Sequence, residues 1–180
     1  MKVLLINPIS SGGITQYTIC LANELQKYTD LLMLTSKDID REYKKFFELN
    51  KYKELSKKTL YKLIFPKKTN KLSKIIIYIY NFFVILNIVK SENIDVIHFQ
   101  WPLSIKLDKY LIKTLHKMNK KVVFTAHNVM SHEKTDIDYA EYKNMFDAYD
   151  NIIVHAECNK KDISNLFNIE ENKISVIPHG

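Results

Sequence analysis

The sequence predicts an α/β fold, a doubly wound parallel sheet of about six strands covered by helices on both faces. Two observations carry that expectation. Short, continuous apolar runs alternate with helically spaced segments along most of the 180 residues, and such runs are the mark of strands buried on both sides. Asn, Pro or Gly closes several of the runs, so each strand ends where a loop begins.

The elements follow in order. Val3-Leu4-Leu5-Ile6 reads as the buried part of a strand over Lys2–Ile6, broken at Asn7-Pro8. Helical spacing takes over at Tyr17, Leu21 and Leu25, giving a helix over Thr15–Lys27. Further strands are expected at Leu31–Thr35, Asp95–Phe99, Lys121–Ala126, Asn151–His155 and Lys173–Ile177. Further helices are expected at Arg41–Phe47, Thr59–Ile64, Leu72–Ser91, Ile105–Met118, Tyr139–Tyr149 and Glu157–Phe167. Numbered along the chain, the six strands fit most simply the order 3-2-1-4-5-6 of a Rossmann-like domain, with 36–74 as an insertion. Residues 1–180 are read as a single such domain.

Composition narrows the classes. Hydrophobic residues make up 46% of the chain, with only three glycines and four prolines, which excludes a disordered or collagen-like chain. Cys20 and Cys158 have no metal-ligand spacing and suit a reducing compartment. The N-terminus runs straight into a strand without a secretory pattern, so the expected location is cytoplasmic. The net charge of +7 is concentrated between Lys44 and Lys74, where eleven lysines face two acids, Glu48 and Glu54. Aromatic and aliphatic residues are interleaved with those lysines, which suits either an ordinary solvated basic surface or a patch for anionic lipid headgroups. No nucleic-acid motif accompanies the charge, and no nucleic-acid partner is expected. The run Ile75–Val89 is apolar except for Asn81 and Asn87. It is shorter than the ~20 residues of a membrane span, and a core helix is expected there.

Ligands of such sheets bind beyond the carboxyl ends of the strands. The residues at those ends are Asn7 with Gly12-Gly13, Gln100-Trp101, His127-Asn128, His155, and Pro178-His179-Gly180. A glycine pair before a helix lets the backbone turn tightly and offers main-chain N–H groups to an anion. It matches neither the G-x-G-x-x-G fingerprint nor a P-loop, and simple turn geometry accounts for it equally well. His127 is placed to bond a sugar hydroxyl or to steady charge on a leaving phosphate. His98 lies inside its strand and reads as a satisfied core histidine. His155 and His179 either line the crevice or hold their own loops. Trp101-Pro102 either stacks on a sugar ring or covers the strand end. His132-Glu133 follows His127 at a four-residue gap, but a third ligand at metal spacing is lacking and no metal is expected. Asp136, Asp138 and Glu141 read as helix-capping acids.

The ordered motifs Gly12-Gly13-Ile14-Thr15-Gln16-Tyr17, Asp95-Val96-Ile97-His98-Phe99-Gln100-Trp101, Thr125-Ala126-His127-Asn128 and Val176-Ile177-Pro178-His179-Gly180 resemble the N-terminal domain of a family 4 glycosyltransferase. Those are retaining nucleotide-sugar enzymes of two facing Rossmann-like domains, the GT-B architecture. The resemblance implies that Gly12 and Gly13 contact the donor diphosphate and that the catalytic His127 lies near the transferred sugar. Acceptor contacts fall to Gln100, Trp101, Asn128 and His155. It implies no cofactor and no metal, a nucleoside diphosphate sugar as substrate, and a saccharide or lipid-linked acceptor. It also implies a peripheral place on the inner face of the membrane.

The resembled family often has histidine where Gln100 stands and asparagine where His179 stands. Its C-terminal donor domain is absent from these residues, which end at the interdomain hinge. The missing half would be joined in cis or as a partner subunit, and residues 1–180 alone are expected to be inactive. The alternative is a non-catalytic membrane- or partner-binding module acting through Lys44–Lys74. An unrelated nucleotide-dependent Rossmann protein fits less well. No acid convincingly ends the second strand, Asp38 and Asp40 being nearest.

Overall fold

The computed structural model describes residues 1–9, 11–36, 60–63, 71–129 and 139–179. The expected helix Arg41–Phe47 and most of the Lys44–Lys74 stretch lie outside the described residues, as do Asp38, Asp40, His132, Glu133, Asp136, Asp138 and Gly180. The chain divides into two compact units, residues 1–100 and 101–180.

The first unit holds β1 (Lys2–Asn7), α1 (Gly13–Leu25), β2 (Asp30–Ser36), β3 (Leu60–Leu63), α2 (Lys71–Ser91) and β4 (Val96–Phe99). Its strands are parallel in the order β3-β2-β1-β4. β1 is central, with Leu4, Leu5 and Ile6 fully buried, each stabilising the fold by about 1.5–3 kcal/mol. Val3 and Leu5 of β1 with Leu31 and Met33 of β2 form one face, on which Ile19 and Ala22 of α1 pack. The alternate residues Leu4, Ile6, Leu32 and Leu34 are buried as well. Both faces are therefore covered, which is why these strands read as unbroken apolar runs.

Two expectations are corrected in this unit. Thr59–Ile64 was expected as a helix, but Leu60–Leu63 is a strand lying parallel to β2, with Met33 opposite Leu60 and Ser36 opposite Leu63. A four-residue run is too short for periodicity to separate the two states, and pairing with β2 decides it. The order is corrected in consequence. Asp95–Phe99, the third strand by sequence alone, was expected beyond β2. It instead pairs with β1 on the side away from β2, and β3 takes the place beyond β2. The 36–74 stretch is thus no mere insertion, because it carries a strand of the sheet.

α2 is a core helix over only part of its length. Asn81, Ile85, Ile88 and Val89 are buried, whereas none of residues 72–80 is. With Lys71–Ser91 helical, the element is long and apolar enough to cross a membrane by length and composition, with 22% of that apolar window buried.

The second unit holds α3 (Asp108–Lys117), β5 (Lys121–Thr125), α4 (Tyr139–Ala148), β6 (Asn151–Val154), α5 (Glu157–Phe167), a single 3-10 turn at Glu171–Lys173, and β7 (Ile174–Val176). Its strands are parallel in the order β5-β6-β7. Phe124 stacks on Tyr149 at 4.9 Å between ring centroids, and Phe146 packs on Phe167 at 5.1 Å. α3 begins three residues later than Ile105, where its start was expected. The Asp108 carboxylate accepts from the Leu103 and Ser104 N–H groups at 2.8 and 3.1 Å, holding the preceding loop out of the helix.

Candidate functional site at the strand ends

In the first unit β1 is flanked by β2 on one side and β4 on the other, so the chain reverses its direction of travel there. Crevices at such a reversal are where ligands settle in open α/β sheets. Asn7 closes β1 and its Oδ1 accepts from the Ile9 N–H at 3.1 Å, a local turn that asparagine forms readily. The Thr15 hydroxyl lies within 3.2 Å of the Ile9 carbonyl and 3.1 Å of the Ser11 carbonyl, tying the loop to α1. Gly12 sits at φ +83°, a conformation that a side chain disfavours. Among the described residues, and apart from chain neighbours and the helix's own backbone, no heavy atom lies within 4 Å of where a Cβ would stand on Gly12 or Gly13. α1 has no side-chain cap and no acid in its first turn. Among the described residues no cap or first-turn acid compensates the positive end of its dipole, the state that attracts an anion.

At the end of β4 the Gln100 N–H donates to the Ile6 carbonyl at 2.8 Å. Gln100, expected at the acceptor, is wholly buried, and its Nε2 donates to His98 Nε2 at 3.0 Å. Any role it has toward an acceptor therefore runs through other groups. His98 is the satisfied core histidine expected, its proton on Nδ1 by that assignment. Burial lowers its pKa to about 4, so it is neutral at physiological pH.

The sequence reading missed Thr35 and Ser36. Thr35 lies opposite Asn7 in the β1–β2 register. All three are buried, and Asn7 Nδ2, Thr35 Oγ1 and Ser36 Oγ make no hydrogen bond among the described residues. An unsatisfied buried polar group costs ~1–3 kcal/mol, so their gathering at adjacent strand ends is a cost that a bound polar ligand would relieve. Only Ser36 carried a signal, standing where a strand gives way to a loop.

In the second unit Trp101 is half-buried, at the head of the loop that Asp108 holds. Asp108 was also missed. Its sequence signal was that of any acid in a helix's first turn. His127 is half-buried and Asn128 exposed, just beyond β5. His155 follows β6, and its Nδ1 donates to the Ile177 carbonyl at 2.9 Å. The Ile177 N–H donates in turn to the Val154 carbonyl at 2.8 Å, so backbone pairing runs past the end of β7. His179 comes last, exposed. Its ring stacks on His155 at 3.7 Å between centroids, and His127 lies 5.3 Å from His155 and 6.4 Å from His179. Burial and then repulsion from His155 lower the pKa of His179. His127 and His155, expected separately at the sugar and at the acceptor, are thus drawn together with His179. Glu141, expected as a capping acid, stands in the first turn of α4 and forms an ion pair with Lys106.

The profile of Glycosyltransferase Family 4 matches residues 11–180. The chain belongs to that family. No curated protein matches the sequence. Among solved structures, HepE of Anabaena, in complex with UDP and glucose, matches 100% of the chain at 13% identity and a TM-score of 0.63. A glycosyltransferase of Rickettsia africae matches 99% at 20% identity and 0.64. The UDP-GlcNAc 2-epimerase of Methanocaldococcus jannaschii, in complex with UDP-GlcNAc and UDP, matches 98% at 18% identity and 0.67. At these identities the likeness is one of fold, a Rossmann-like domain of GT-B type. The chain spans 45%, 43% and 46% of those three structures, less than half of each.

Proposed function

We propose that this family 4 domain is the acceptor-side half of a retaining glycosyltransferase that moves a sugar from a nucleoside diphosphate donor to a saccharide or lipid-linked acceptor. The observation that carries the reading is the open, uncapped start of α1 behind Gly12. That turn suits an anionic group such as a diphosphate. The UDP-bound states of HepE and of the epimerase support a nucleotide-sugar donor.

In the proposed reaction the acceptor hydroxyl attacks the sugar's anomeric carbon on the face that the diphosphate leaves. The carbon–oxygen bond to the acceptor forms as the bond to the phosphate breaks, and the acceptor proton passes to the departing phosphate oxygen. Gly12 and Gly13 main-chain N–H groups steady the negative charge, together with basic groups of a C-terminal half. His127 bonds a hydroxyl of the transferred sugar. Trp101, Asn128 and His155 are left for the acceptor, with Gln100 acting from within. No cofactor is needed, because the charge on the leaving group is met by N–H groups and basic side chains.

Sugar transfer from a panel of labelled nucleoside diphosphate sugars, with the donor-binding half in cis or added as a partner, tests this reading. Gly13→Asp is the sharpest variant. Its Cβ meets open space and an acid stabilises a helix start, so the fold is kept while a diphosphate is repelled. Gly13→Asp and His127→Ala are each expected to lower kcat/KM about 100-fold. Unchanged kcat/KM in both removes the reading.

A second reading, attachment to an anionic membrane surface at the inner face, rests on α2. Leu72, Ile75, Ile76, Ile79, Tyr80 and Phe83 are exposed and fall on one side of the helix, a stripe about 140° wide. The buried Asn81, Ile85, Ile88 and Val89 fall on the opposite side. The lysine-rich sequence before α2 supplies the charge that such a surface attracts.

A further inference from the structure

Three parallel strands of the second unit end side by side, and an imidazole follows each of them. One ligand nitrogen from each of His127, His155 and His179 lies within 4.8 Å of the others. We propose that His127, His155 and His179 form a binding site for a single divalent transition-metal ion of the Zn2+ or Co2+ class.

The donor set fixes that class. It is all imidazole nitrogen, which suits zinc, cobalt, nickel or copper, and it holds no carboxylate to favour calcium or magnesium. The support behind the ligands is of the kind such sites need. His155 gives its Nδ1 proton to the Ile177 carbonyl at 2.9 Å, which orients the ring and leaves Nε2 as the ligand atom. That carbonyl is itself held by the backbone, because the Ile177 N–H is bonded to Val154. Tetrahedral coordination at ~2.0–2.1 Å sets nitrogens about 3.3 Å apart, so the rings need to close by about 1.5 Å at most. The exposed His179 has the freedom to close that gap. Three protein ligands leave one position of a tetrahedral ion to solvent, the arrangement of an open site.

The ligands are 28 and 24 residues apart in sequence, beyond any local spacing rule, whereas the expectation of no metal rested on local spacing and on a resemblance that concerns catalysis. An ion here occupies His127, so it competes with the sugar rather than assisting transfer. The bound ion is read directly, with no assay of sugar transfer.

Titration of the untagged chain with Co2+ at micromolar protein, followed by ligand-field absorption in the visible, is expected to show one ion per chain, displaced by Zn2+. His127→Ala and His155→Ala are each expected to weaken binding at least about tenfold. His179→Ala is the decisive variant, since its exposed ring leaves the buried core untouched. It is expected to weaken binding by the same factor with unchanged circular dichroism. His116→Ala, at an exposed histidine paired with Asp150, is expected to bind like the parent. Absence of stoichiometric Co2+ binding, or binding that His179→Ala leaves unchanged, overturns the site.

Discussion

Asn93, Asn119 and Asn168 adopt left-handed backbone at φ 54°, 56° and 52°, each just beyond the end of a helix. Glycine usually takes that place, but this chain has only three glycines, none of them near those helix ends. Each asparagine lets the next residue's N–H reach a carbonyl five residues back: Ile94 to Val89, Lys120 to Leu115 and Ile169 to Ser164. Asn119→Ala is therefore expected to lower stability by about 1 kcal/mol, because alanine resists that conformation. Asn119→Gly should keep or raise it, and urea unfolding distinguishes the two.

His98 makes a second residue-scale case. Its native pKa is about 4 against 6.5 for the unfolded chain, so below pH 6.5 the unfolded state takes up a proton that the native state refuses. Its contribution is complete above pH 6.5, declines as pH falls toward 4, and levels off below. The total is about 3 kcal/mol. His98→Gln should flatten the stability–pH slope between those limits, as read by unfolding at a series of pH values. A slope unchanged from the parent's would mean that the native histidine titrates normally.

At the scale of elements, α2 carries one buried and one exposed face. Its second half is anchored by Ile85, Ile88 and Val89. Its exposed stripe is wider than a coiled-coil seam. Sedimentation with vesicles rich in anionic lipid is expected to carry the chain down, more strongly at low salt. Ile76→Glu with Phe83→Glu should abolish that binding without unfolding the protein, since both side chains are already exposed. Equal binding to neutral vesicles would count against the charged contribution. The loop before α3 depends on one buried carboxylate. Asp108→Ala frees the Leu103 and Ser104 N–H groups and should cost about 1–3 kcal/mol in chemical denaturation.

At the scale of the whole chain, most of the fold could be read in advance because buried parallel strands have an unmistakable pattern. Val3–Ile6 of β1 and Leu31–Leu34 of β2 are apolar at every position since helices or neighbours cover both their faces. β3 escaped because four residues beside a lysine-rich stretch have no such pattern, and its loss misplaced β4 on the wrong side of β1. The candidate site was legible residue by residue. His127 and His155 stand out as polar residues closing apolar runs, and Gly12-Gly13 stand out as a glycine pair opening a helix. That strand-end residues gather along one rim was expected, but the direct ring contact of His127, His155 and His179 did not show. If the acceptor-side reading holds, purified residues 1–180 without a donor-binding half should release no sugar from any nucleoside diphosphate sugar. Measured turnover would contradict that division of labour.

The α/β class, the positions of six strands and the set of strand-end residues were determined by sequence alone, since periodicity and turn chemistry are local properties. Only tertiary structure decided that a seventh strand lies beyond β2, that Gln100 is buried against His98, and that three distant histidines stack at one edge. Each of those depends on which strands become neighbours, and strand pairing joins residues that no local spacing connects.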